Sequence, residues 1–411
     1  METTGLHFLD ELNLGEEDVV LIRVDFNVPL RDGEVTDDTR IKAAIPTIEH
    51  AVETGAKVIL CSHLGRPGGK RDESLSMEPV GARLAKLIDT DTLLYDYEIV
   101  LPENIIGEDV DTLLTELNPN RQIMLLENLR FHPGEKAGDD EFAEQLADLA
   151  DYYVNDAFGA THRKHASVYT INKFFDRHHR GAGFLIRREI EGLGRLVDHP
   201  DKPYVAVVGG AKVSDKLGVL RTLSDRVDTI LIGGAMAYTF LAARNTEVGD
   251  SMVEPDMIDE ARSILERADV QNLDLVLPVD HRVGDGIDAE EAVVTDGDAI
   301  PDGKMGLDIG PRTVDRFRET IEAASTVFWN GPLGVFENEV FSEGTFAIAR
   351  ALAASSAYSV VGGGDSAAAV IGAGVGDDID HVSTGGGASL QFVQGEPLPG
   401  IESLRPNHPF D

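Results

Sequence analysis

VAVVGGAKVSDK, residues 205–216, joins an apolar run to two glycines and two lysines. A β-branched apolar run is typical of a strand that is buried on both faces of a parallel sheet. Gly209 and Gly210 carry no Cβ, so their backbone amides can approach a bound group closely. If Ser214 opens a helix, Lys212 and Lys216 can converge on one anion. The stretch predicts a phosphate site in outline, although one Gly-Gly-x-Lys alone favours an ordinary turn and the GxxxxGK[ST] spacing of the P-loop is absent.

Length and composition limit the class of protein. The chain has 411 residues, which suggests two or three domains that each bury an apolar core. No apolar run approaches the ~20 residues of a membrane-spanning helix, and METTGLHFLDEL at the start lacks the features of a secretory signal. The single cysteine, Cys61, excludes an internal disulfide framework and a cysteine-rich metal site. We therefore expect a cytoplasmic protein that binds no membrane and in which Cys61 is a small buried side chain.

The balance of charge is strongly acidic, with 73 Asp and Glu against 36 Lys and Arg and a formal net charge of -37. Such a surface repels a phosphate backbone, so we expect no binding to nucleic acid. The excess of carboxylates is typical of proteins adapted to concentrated salt, where screening reduces self-repulsion, and it predicts a halophilic source. In such a chain, basic residues in glycine- or proline-marked turns are expected to bind an anion.

Apolar runs that predict strands alternate with helix-spaced apolar residues along both halves of the chain. In the first half we predict strands at 19–24, 57–61, 121–126 and 152–154, with helices at 40–55, 79–88 and 139–150. In the second half, after the strand at 205–208, we predict strands at 229–232, 273–279, 326–329 and 358–361, with helices at 235–243, 255–267, 312–324 and 344–353. The pattern predicts an α/β protein with two doubly wound, parallel-sheet, Rossmann-like domains, 1–177 and 200–392, joined by a connecting helix at 181–197 within the hinge segment 178–199.

Polar and basic residues stand directly after the predicted strands of the first half. Because the carboxyl ends of parallel strands meet at one edge of a sheet, we expect these residues to share a site. Guanidinium groups bind phosphate and carboxylate oxygens in pairs, so several together indicate a small ligand with more than one anionic group. Any one arginine alone is better explained as a surface ion pair, but their number favours a site. The candidates are Asp25, Asn27, Arg40, His63, Arg66, Arg130 and Arg163.

Glycine-rich turns follow the predicted strands of the second half. The glycine triplet 362–364 precedes a helix that we expect to start near Ser366, and its amides can bind phosphate. Asp365 is a hard oxygen ligand suited to Mg²⁺. Glu337 could accept hydrogen bonds from a ribose or simply be exposed, and Trp329 is interpreted as core or pocket wall. GAGVG at 372–376 follows a helix rather than a strand, so we interpret it as a helix end and not as a dinucleotide fingerprint.

Nine motifs taken together resemble those of the phosphoglycerate kinase family. In chain order they are RVDFNVPL, SHLGRP, LLENLRF, NDAFGATHRKHAS, GGAKVSDK, GLDIGP, WNGPLGVFE, GGGDSAAA and STGGGASL. They extend over nearly the whole chain, and the acidic composition adds a resemblance to a halophilic archaeal member. The resemblance implies an N-terminal domain that binds phosphoglycerate, a C-terminal domain that binds the nucleotide, closure of the domains during catalysis, and a tail, 393–411, that returns to the N-terminal domain.

The resemblance also implies roles at matching positions. Arg40 matches the catalytic arginine, Lys212 the lysine that meets the transferred phosphoryl group, and Asp365 the magnesium ligand. The other phosphoglycerate contacts that match are Asp25, Asn27, His63, Arg66, Arg130 and Arg163. The nucleotide site that matches comprises Gly210, Ala211, Lys212, Lys216, Gly234, Gly306, Asn330, Glu337, Gly362, Gly363, Gly364, Asp365 and Ser366. Three features depart from the family pattern: Ala235 replaces a third glycine, Lys304 replaces a frequent tryptophan, and residues 168–180 match poorly.

The implied reaction is reversible transfer of the acyl phosphate of 1,3-bisphosphoglycerate to MgADP, which gives 3-phosphoglycerate and MgATP. We expect a monomer whose partners are these small molecules. A nicotinamide-dependent dehydrogenase is one alternative, but it needs a GxGxxG after a strand and a later acidic residue, which are not found. A non-catalytic anion-binding protein is the other, and it could keep the arginines without needing Lys212 and Asp365.

Overall fold

The computed structural model describes residues 5–91, 94–406 and 408–410. The chain forms two compact units, which are Met1–Glu191 with Glu396–Asp411 (unit 1) and Gly192–Gly395 (unit 2). Among the described residues, no helix is long and apolar enough to cross a membrane.

Unit 1 contains a parallel sheet of six strands and a small antiparallel hairpin. The strands are β1 (Val19–Val24), β2 (Leu30–Arg31), β3 (Glu34–Val35), β4 (Lys57–Cys61), β5 (Glu98–Val100), β6 (Gln122–Leu125), β7 (Tyr152–Asp156) and β8 (Arg180–Ala182). The sheet order is β5-β6-β4-β1-β7-β8, and β2 pairs with β3 in the hairpin. β1 lies at the centre, where Ile22 pairs with Leu60 on one side and Val154 on the other. Such two-sided burial explains its continuous apolar run.

Helices cover the sheet of unit 1. They are α1 (Thr39–Glu53), α2 (Glu78–Asp91), α3 (Glu108–Glu116), α4 (Pro133–Ala137), α5 (Asp140–Ala147) and α6 (Phe184–Val197), whose last residues belong to unit 2. The helix-spaced residues Ile41, Ala44 and Ile48 of α1 are buried in the same core as the apolar residues of β1. Asp139 ends the preceding turn and caps α5, where its Oδ1 accepts a hydrogen bond from Phe142 N at 2.9 Å.

Unit 2 contains a second parallel sheet and a three-stranded antiparallel one. Its strands are β9 (Tyr204–Val208), β10 (Thr229–Ile232), β11 (Asp274–Val276), β12 (His281–Gly284), β13 (Val293–Val294), β14 (Met305–Ile309), β15 (Thr326–Asn330), β16 (Tyr358–Gly362) and β17 (His381–Val382). The parallel order is β11-β10-β9-β15-β16-β17, and the antiparallel order is β13-β12-β14. Counted along the chain, the parallel order is 3-2-1-4-5-6, and the direction of the connections reverses between β9 and β15, which is where sheets of this order bind ligands.

The helices of unit 2 are α7 (Leu217–Ser224), α8 (Met236–Ala243), α9 (Ile258–Gln271), α10 (Pro311–Glu322), α11 (Glu343–Ala354), α12 (Gly364–Gly372) and α13 (Gly387–Val393). Trp329 is fully buried in the core of this unit, in agreement with the first of its two interpretations, core or pocket wall. α12 ends at Gly372, so GAGVG is a helix end and turn as interpreted above.

The structure confirms the α/β class with two parallel sheets and corrects several boundaries. The helix after the lysine loop begins at Leu217 and not at Ser214, and α12 begins at Gly364 and not near Ser366. The connecting helix begins at Phe184, because Arg180–Ala182 forms an edge strand against β7. Short strands and the antiparallel sheet were not predicted, since short elements provide too little periodicity.

The chain returns to unit 1 after residue 395. α14 (Pro399–Glu402) lies in this segment, and Gly400 N donates to Thr161 O at 2.8 Å. A Cβ on Gly400 would stand 2.5 Å from a methyl group of Val168, so only glycine permits this close approach. Residues 407 and 411 of the predicted tail lie outside the described residues.

Candidate active-site residues

The candidate residues of unit 1 follow four strands of its sheet. β1 leads into Asp25 and Asn27, β4 into His63 and Arg66, β6 into Arg130, and β7 into the loop that carries Arg163. Arg40 lies in the first turn of α1. Parallel pairing brings all four strand ends to one edge of the sheet, which is where α/β sheets bind ligands.

Arg40 joins the two polar residues that follow β1. Its Nη1 donates to Asp25 Oδ2 at 3.2 Å and to Asn27 O at 3.0 Å. Asp25 is 6% exposed, and its Oδ1 accepts no hydrogen bond from any described residue. Since buried polar atoms nearly always have a partner, this oxygen is a candidate ligand contact.

A second set of hydrogen bonds joins Asn27 to Arg130 through Gly65. Asn27 Oδ1 accepts from Gly65 N at 2.9 Å, and Arg130 Nη1 donates to Gly65 O at 2.6 Å. Arg130 Nε is buried and has no partner in the described part of the chain. Burial, reinforced by the positive charge of Arg163 and then Arg23, lowers the pKa of Arg130 to about 10. The guanidinium therefore stays charged at neutral pH and has an unused donor.

The histidines near this site are held neutral. Burial, together with nearby guanidinium groups, of which that of Arg23 has the largest effect, lowers the pKa of His165 to about 3 and that of His63 well below its usual value. The pKa of His162 is lowered by burial and by Arg163, and Arg163 Nε donates to His162 Nε2 at 3.0 Å. The positive charge of the site at neutral pH therefore comes from arginines.

Arg66 and Arg163 differ from the other candidates because both are exposed. Arg66 follows β4 in the same loop as His63, but the described residues give its side chain no hydrogen bond or ion pair. The geometry thus ties Asp25, Asn27, Arg40 and Arg130 into one network and leaves Arg66 outside it.

Three further residues of unit 1, which are not among the predicted candidates, lie behind this network. Arg23 is fully buried in β1 and contacts His63, and Ser167 and Glu135 are fully buried next to it. The available signal was the single charge of Arg23 within the six-residue run of β1, because a charge in a buried strand needs a partner.

In unit 2, the loops after β9, β10 and β15 pack backbone against backbone. Gly210 N donates to Pro332 O at 2.9 Å, and Gly234 N donates to Leu333 O at 3.1 Å. A Cβ on Gly209 would stand 2.2 Å from Pro332 O, and one on Gly331 would stand 2.2 Å from Gly209 O. These loops can meet only because these positions carry no side chain.

Side chains then join the loops after β15 and β16. Lys216 Nζ donates to Asn330 Oδ1, and Asn330 Nδ2 donates to Gly362 O at 2.5 Å. Gly331 N donates to Ser366 Oγ at 2.6 Å. Burial lowers the pKa of Lys216, while Asp365 and Asp215 act in the opposite direction. These hydrogen bonds bring Lys216, Asn330, Gly362 and Ser366 together within unit 2.

The exposed candidates of unit 2 are Ala211, Lys212, Gly364, Asp365 and Glu337. Gly363 has φ 98° and precedes α12, so that Asp365 lies in the first helical turn. No group of three or more His, Cys, Asp or Glu that could hold a metal ion occurs among the described residues. A single exposed carboxylate nevertheless fits Mg²⁺, because this ion usually keeps several waters and phosphate oxygens as its other ligands.

Gly306 lies on β14, in the antiparallel sheet rather than at the edge of the parallel one. Its N donates to Ser251 Oγ at 2.9 Å, and a Cβ there would stand 2.3 Å from the ring and hydroxyl of the buried Tyr238. Two of the three departures noted above lie in this unit: Ala235 precedes α8, and Lys304 Nζ donates to Asp285 Oδ1 at 2.6 Å.

Cys61 takes no part in either group of residues. It is a buried free thiol in β4, and burial raises its pKa to about 12. It therefore stays protonated, in agreement with the structural role predicted for it.

Comparisons with known proteins identify the family. A family model described as phosphoglycerate kinase matches residues 9–396. A phosphoglycerate kinase of Anaeromyxobacter sp. (strain K) is 53% identical over 403 residues, which cover 97% of this chain and 99% of the relative. One of Clostridium botulinum (strain Alaska E43 / Type E3) is 48% identical over 386 residues, which cover 94% and 95%.

Solved structures agree. The phosphoglycerate kinase of Coxiella burnetii superposes with a TM-score of 0.83 at 40% identity, and that of Pyrococcus horikoshii superposes with a TM-score of 0.83 at 33% identity. Each covers 97% of this chain and 98% of the solved one. The two curated relatives are bacterial, so the expected resemblance to a halophilic archaeal member is not supported.

Proposed function

The chain belongs to the phosphoglycerate kinase family, and we propose that it transfers a phosphoryl group reversibly between 1,3-bisphosphoglycerate and ADP, giving 3-phosphoglycerate and ATP. The chain is a phosphotransferase by this membership. One observation in the structure carries the choice of ligand: Arg40 and Arg130 are linked through Asn27 and Gly65 at one sheet edge, where the buried Asp25 Oδ1 and Arg130 Nε have no partner in the described chain. In a chain of net charge -37, such a cluster is suited to a small polyanion.

In the proposed assignment, unit 1 binds phosphoglycerate. Arg40 contacts the carboxyl end and the transferred group, and the remaining contacts are Asp25, Asn27, His63, Arg66, Arg130 and Arg163. The exposed guanidinium of Arg66 is free to turn toward a phosphate. This assignment follows the domain roles expected for 1–177 and 200–392.

Unit 2 binds the nucleotide in this proposal. Lys212 contacts the transferred phosphoryl group, and the loops at Gly210, Ala211, Gly234 and Asn330 provide close backbone approach. Gly306 and Glu337 bind the nucleoside part, and Lys216 with residues 362–366 binds the phosphates. The first turn of α12 supports this role, because free amides at a helix N-terminus favour anions.

Asp365 would hold Mg²⁺ together with nucleotide phosphates. When bound, this ion neutralises phosphate charge and orients the nucleotide. The exposed carboxylate near Lys216 fits that use.

The chemistry needs positioning and charge rather than a base. A carboxylate oxygen of 3-phosphoglycerate attacks the γ-phosphorus of ATP, one O–P bond forms as the bond to the β-phosphate oxygen breaks, and ADP leaves. The carboxylate is already ionised at neutral pH, so no side chain has to remove a proton. Arg40 and Lys212 neutralise the group in transfer.

A coupled assay with 3-phosphoglycerate and MgATP tests the proposal. The wild type should be active, and Lys212→Ala should lower kcat by roughly 100-fold or more, since one stabiliser of the transition-state charge is lost. Lys202→Ala is the matched control, because Lys202 is another exposed lysine of unit 2, paired with Asp228. An inactive wild type that still binds 3-phosphoglycerate would favour the non-catalytic anion-binding alternative.

Further expectations stay proposals. Domain closure predicts a change in small-angle scattering when both ligands are added. Adaptation to salt predicts a melting temperature that rises between dilute and molar KCl. A cytoplasmic monomer that binds neither nucleic acid nor a membrane also stays a prediction.

A further inference from the structure

Arg23 connects the candidate phosphoglycerate site to a buried carboxylate behind it. We propose that Arg23 is a positioning residue that holds His63 as the neutral imidazole with its proton on Nε2, so that His63 offers the substrate a hydrogen-bond donor and not a charge. The consequence for the substrate rests on the proposed function, whereas the state of His63 can be measured without it.

All the hydrogen bonds of Arg23 are made inside unit 1. Its Nη2 lies 2.9 Å from His63 Nδ1, its Nε donates to Ser167 Oγ at 2.9 Å, and its Nη1 donates to Val24 O. Arg23 is fully buried. Three contacts to three different groups fix the plane of the guanidinium and therefore the position of Nη2.

Glu135 balances the charge of Arg23 through one serine. Ser167 Oγ donates to Glu135 Oε1 at 2.7 Å, and Ser167 N donates to Glu135 Oε2 at 3.0 Å. Glu135 and Ser167 are both fully buried. A buried cation is tolerated when a buried anion is nearby and the remaining polar atoms are hydrogen-bonded, and this arrangement meets both conditions.

The donors and acceptors of Arg23 and His63 then determine which ring nitrogen of His63 carries the proton. A guanidinium has only donors, so His63 Nδ1 must accept from Arg23 and cannot carry a proton. In a neutral imidazole the proton therefore lies on Nε2. Among the described residues, no hydrogen-bond partner is found for Nε2, which leaves this donor available to a ligand.

The charged groups around His63 act against its protonation, with one exception. Arg23, Arg130, Arg163 and His165 lower its pKa in addition to burial, which has the largest effect. Among the described residues, Asp25 is the one carboxylate in ion-pair range of the ring, but its Oδ1 is 3.9 Å from Nδ1, too far for a hydrogen bond. An imidazolium would also point its Nδ1 proton at an Arg23 donor.

As a consequence, the arginines and His63 contribute different interactions to the substrate. Arginines supply charge that does not change between pH 6 and 8, and His63 supplies one directed N–H donor. Binding of 3-phosphoglycerate should then not gain affinity from histidine protonation when the pH is lowered. A histidine that titrated near its ordinary pKa of ~6.5 would change the charge of the site within this range.

Nitrogen-15 NMR of the full-length protein with labelled histidine tests the proposal directly. A His63→Gln spectrum identifies the resonances of this ring. We expect an unprotonated Nδ1 and a protonated Nε2, unchanged between pH 5.5 and 8. A protonated Nδ1, or a titration of His63 near pH 6.5, would overturn the proposal. This readout needs no catalysis, so it is independent of whether the proposed reaction is correct.

Arg23→Met provides the second arm, and Arg180→Met is its matched control. Arg180 is the other fully buried arginine of unit 1 and donates to Asn172 O and Phe175 O. In Arg23→Met, His63 Nδ1 loses its donor, so the His63 spectrum should change to a mixture of the two neutral tautomers, and the ratio of variant to wild-type KM for 3-phosphoglycerate should rise to about three to ten, because the proton is no longer fixed on Nε2. Dividing the KM of the variant by that of the wild type cancels the titration of the ligand's own phosphate, whose second pKa is ~6, because both proteins bind the same ligand.

The control separates positioning from stability. Arg180→Met should leave the His63 spectrum and the KM ratio unchanged, even if it lowers the melting temperature. If Arg23→Met does not fold, Ser167→Ala loosens the same guanidinium and should produce a mixture of His63 tautomers. An unchanged His63 spectrum in a folded Arg23→Met protein would contradict the proposal.

Discussion

In unit 1 the candidate site is made of charged side chains, whereas in unit 2 it is made mainly of backbone. Arg40, Asp25 and Arg130 are linked to one another or to nearby carbonyls by side-chain hydrogen bonds. In unit 2, Gly209 and Gly331 instead let two loops approach to distances that a Cβ would block. Both sites lie at the carboxyl edge of a parallel sheet, so the same fold supports two methods of binding an anion.

The difference has a physical reason. A site of arginine side chains needs carboxylates and carbonyls to hold those guanidinium groups that are buried, as that of Arg130 is, because charges without partners are costly to bury. A site of backbone amides needs only that loops meet closely, because the amides are already polar donors. We therefore expect unit 1 to be sensitive to changes of side-chain shape and unit 2 to be sensitive to the addition of a single carbon.

The largest effect is expected from Gly209→Ala. Its Cβ would stand 2.2 Å from Pro332 O, so the loop backbone has to move. We expect a loss of kcat/KM for ATP above ~100-fold and a destabilisation of ~1–3 kcal/mol or more. Gly297→Ala is the control, because nothing lies within 4 Å of a Cβ there. An unchanged kcat/KM for ATP in Gly209→Ala would contradict the inference that the site in unit 2 depends on close backbone contacts.

A smaller effect is expected in unit 1 from Arg40→Lys, which keeps the charge but not the planar fork. The substitution removes Nη1, which donates to both Asp25 Oδ2 and Asn27 O, and kcat should fall by about 10- to 100-fold. KM for ATP and the circular dichroism spectrum should not change. Arg121→Lys, at an exposed arginine of the same unit, should be neutral in the same assay. Full activity in Arg40→Lys would mean that charge alone suffices.

Each unit also buries a carboxyl group, and these two groups allow the pH dependence of stability to be compared between the units. Burial raises the pKa of Asp156 to about 7 and that of Asp308 to about 8. The folded state holds these protons more tightly than the unfolded state, whose pKa is ~3.9. Their stabilising contribution is therefore complete below pH ~4 and is lost as the pH rises through 7 or 8, by about 1.4 kcal/mol per pH unit for each group.

Trp329 is the only tryptophan and reports on unit 2. In the wild type, the free energy of unfolding should decline as the pH rises from 5 to 8. In urea unfolding followed by Trp329 fluorescence, Asp308→Asn should make this decline smaller by about 1.4 kcal/mol per pH unit. Asp156→Asn, in unit 1, should not change the pH dependence of the unfolding free energy that Trp329 fluorescence measures. If both substitutions reduced the pH dependence of this free energy equally, the two units would not unfold separately.

The smallest effect is expected from Ser366→Ala. The serine Oγ accepts a hydrogen bond from Gly331 N at 2.6 Å, so its loss should cost ~1 kcal/mol and raise KM for ATP a few-fold. Ser355→Ala removes a similar hydrogen bond to Leu352 O at a helix end and should leave KM for ATP unchanged. A rise in KM for 3-phosphoglycerate instead would contradict the assignment of Ser366 to the nucleotide.

Much of the fold could be predicted from local pattern. The central strands at 19–24 and 57–61 and helix α1 lie where apolar periodicity places them, because each core-facing stripe must repeat with the period of its element. The boundaries at Leu217 and Phe184 could not be predicted, since they depend on what the preceding residues pair with. The antiparallel sheet was missed for the same reason.

The residue types that can bind anions, their order after the strands, and two Rossmann-like halves were determined by the sequence alone. These properties follow from side-chain chemistry and from periodicity within one element. The tertiary structure alone decided that Arg23 and Glu135 lie behind His63, that Arg66 stays outside the hydrogen-bond network, and that Gly209 meets Gly331. Contacts between segments far apart in the chain depend on how the sheet orders its strands, and spacing along the sequence carries no record of that order.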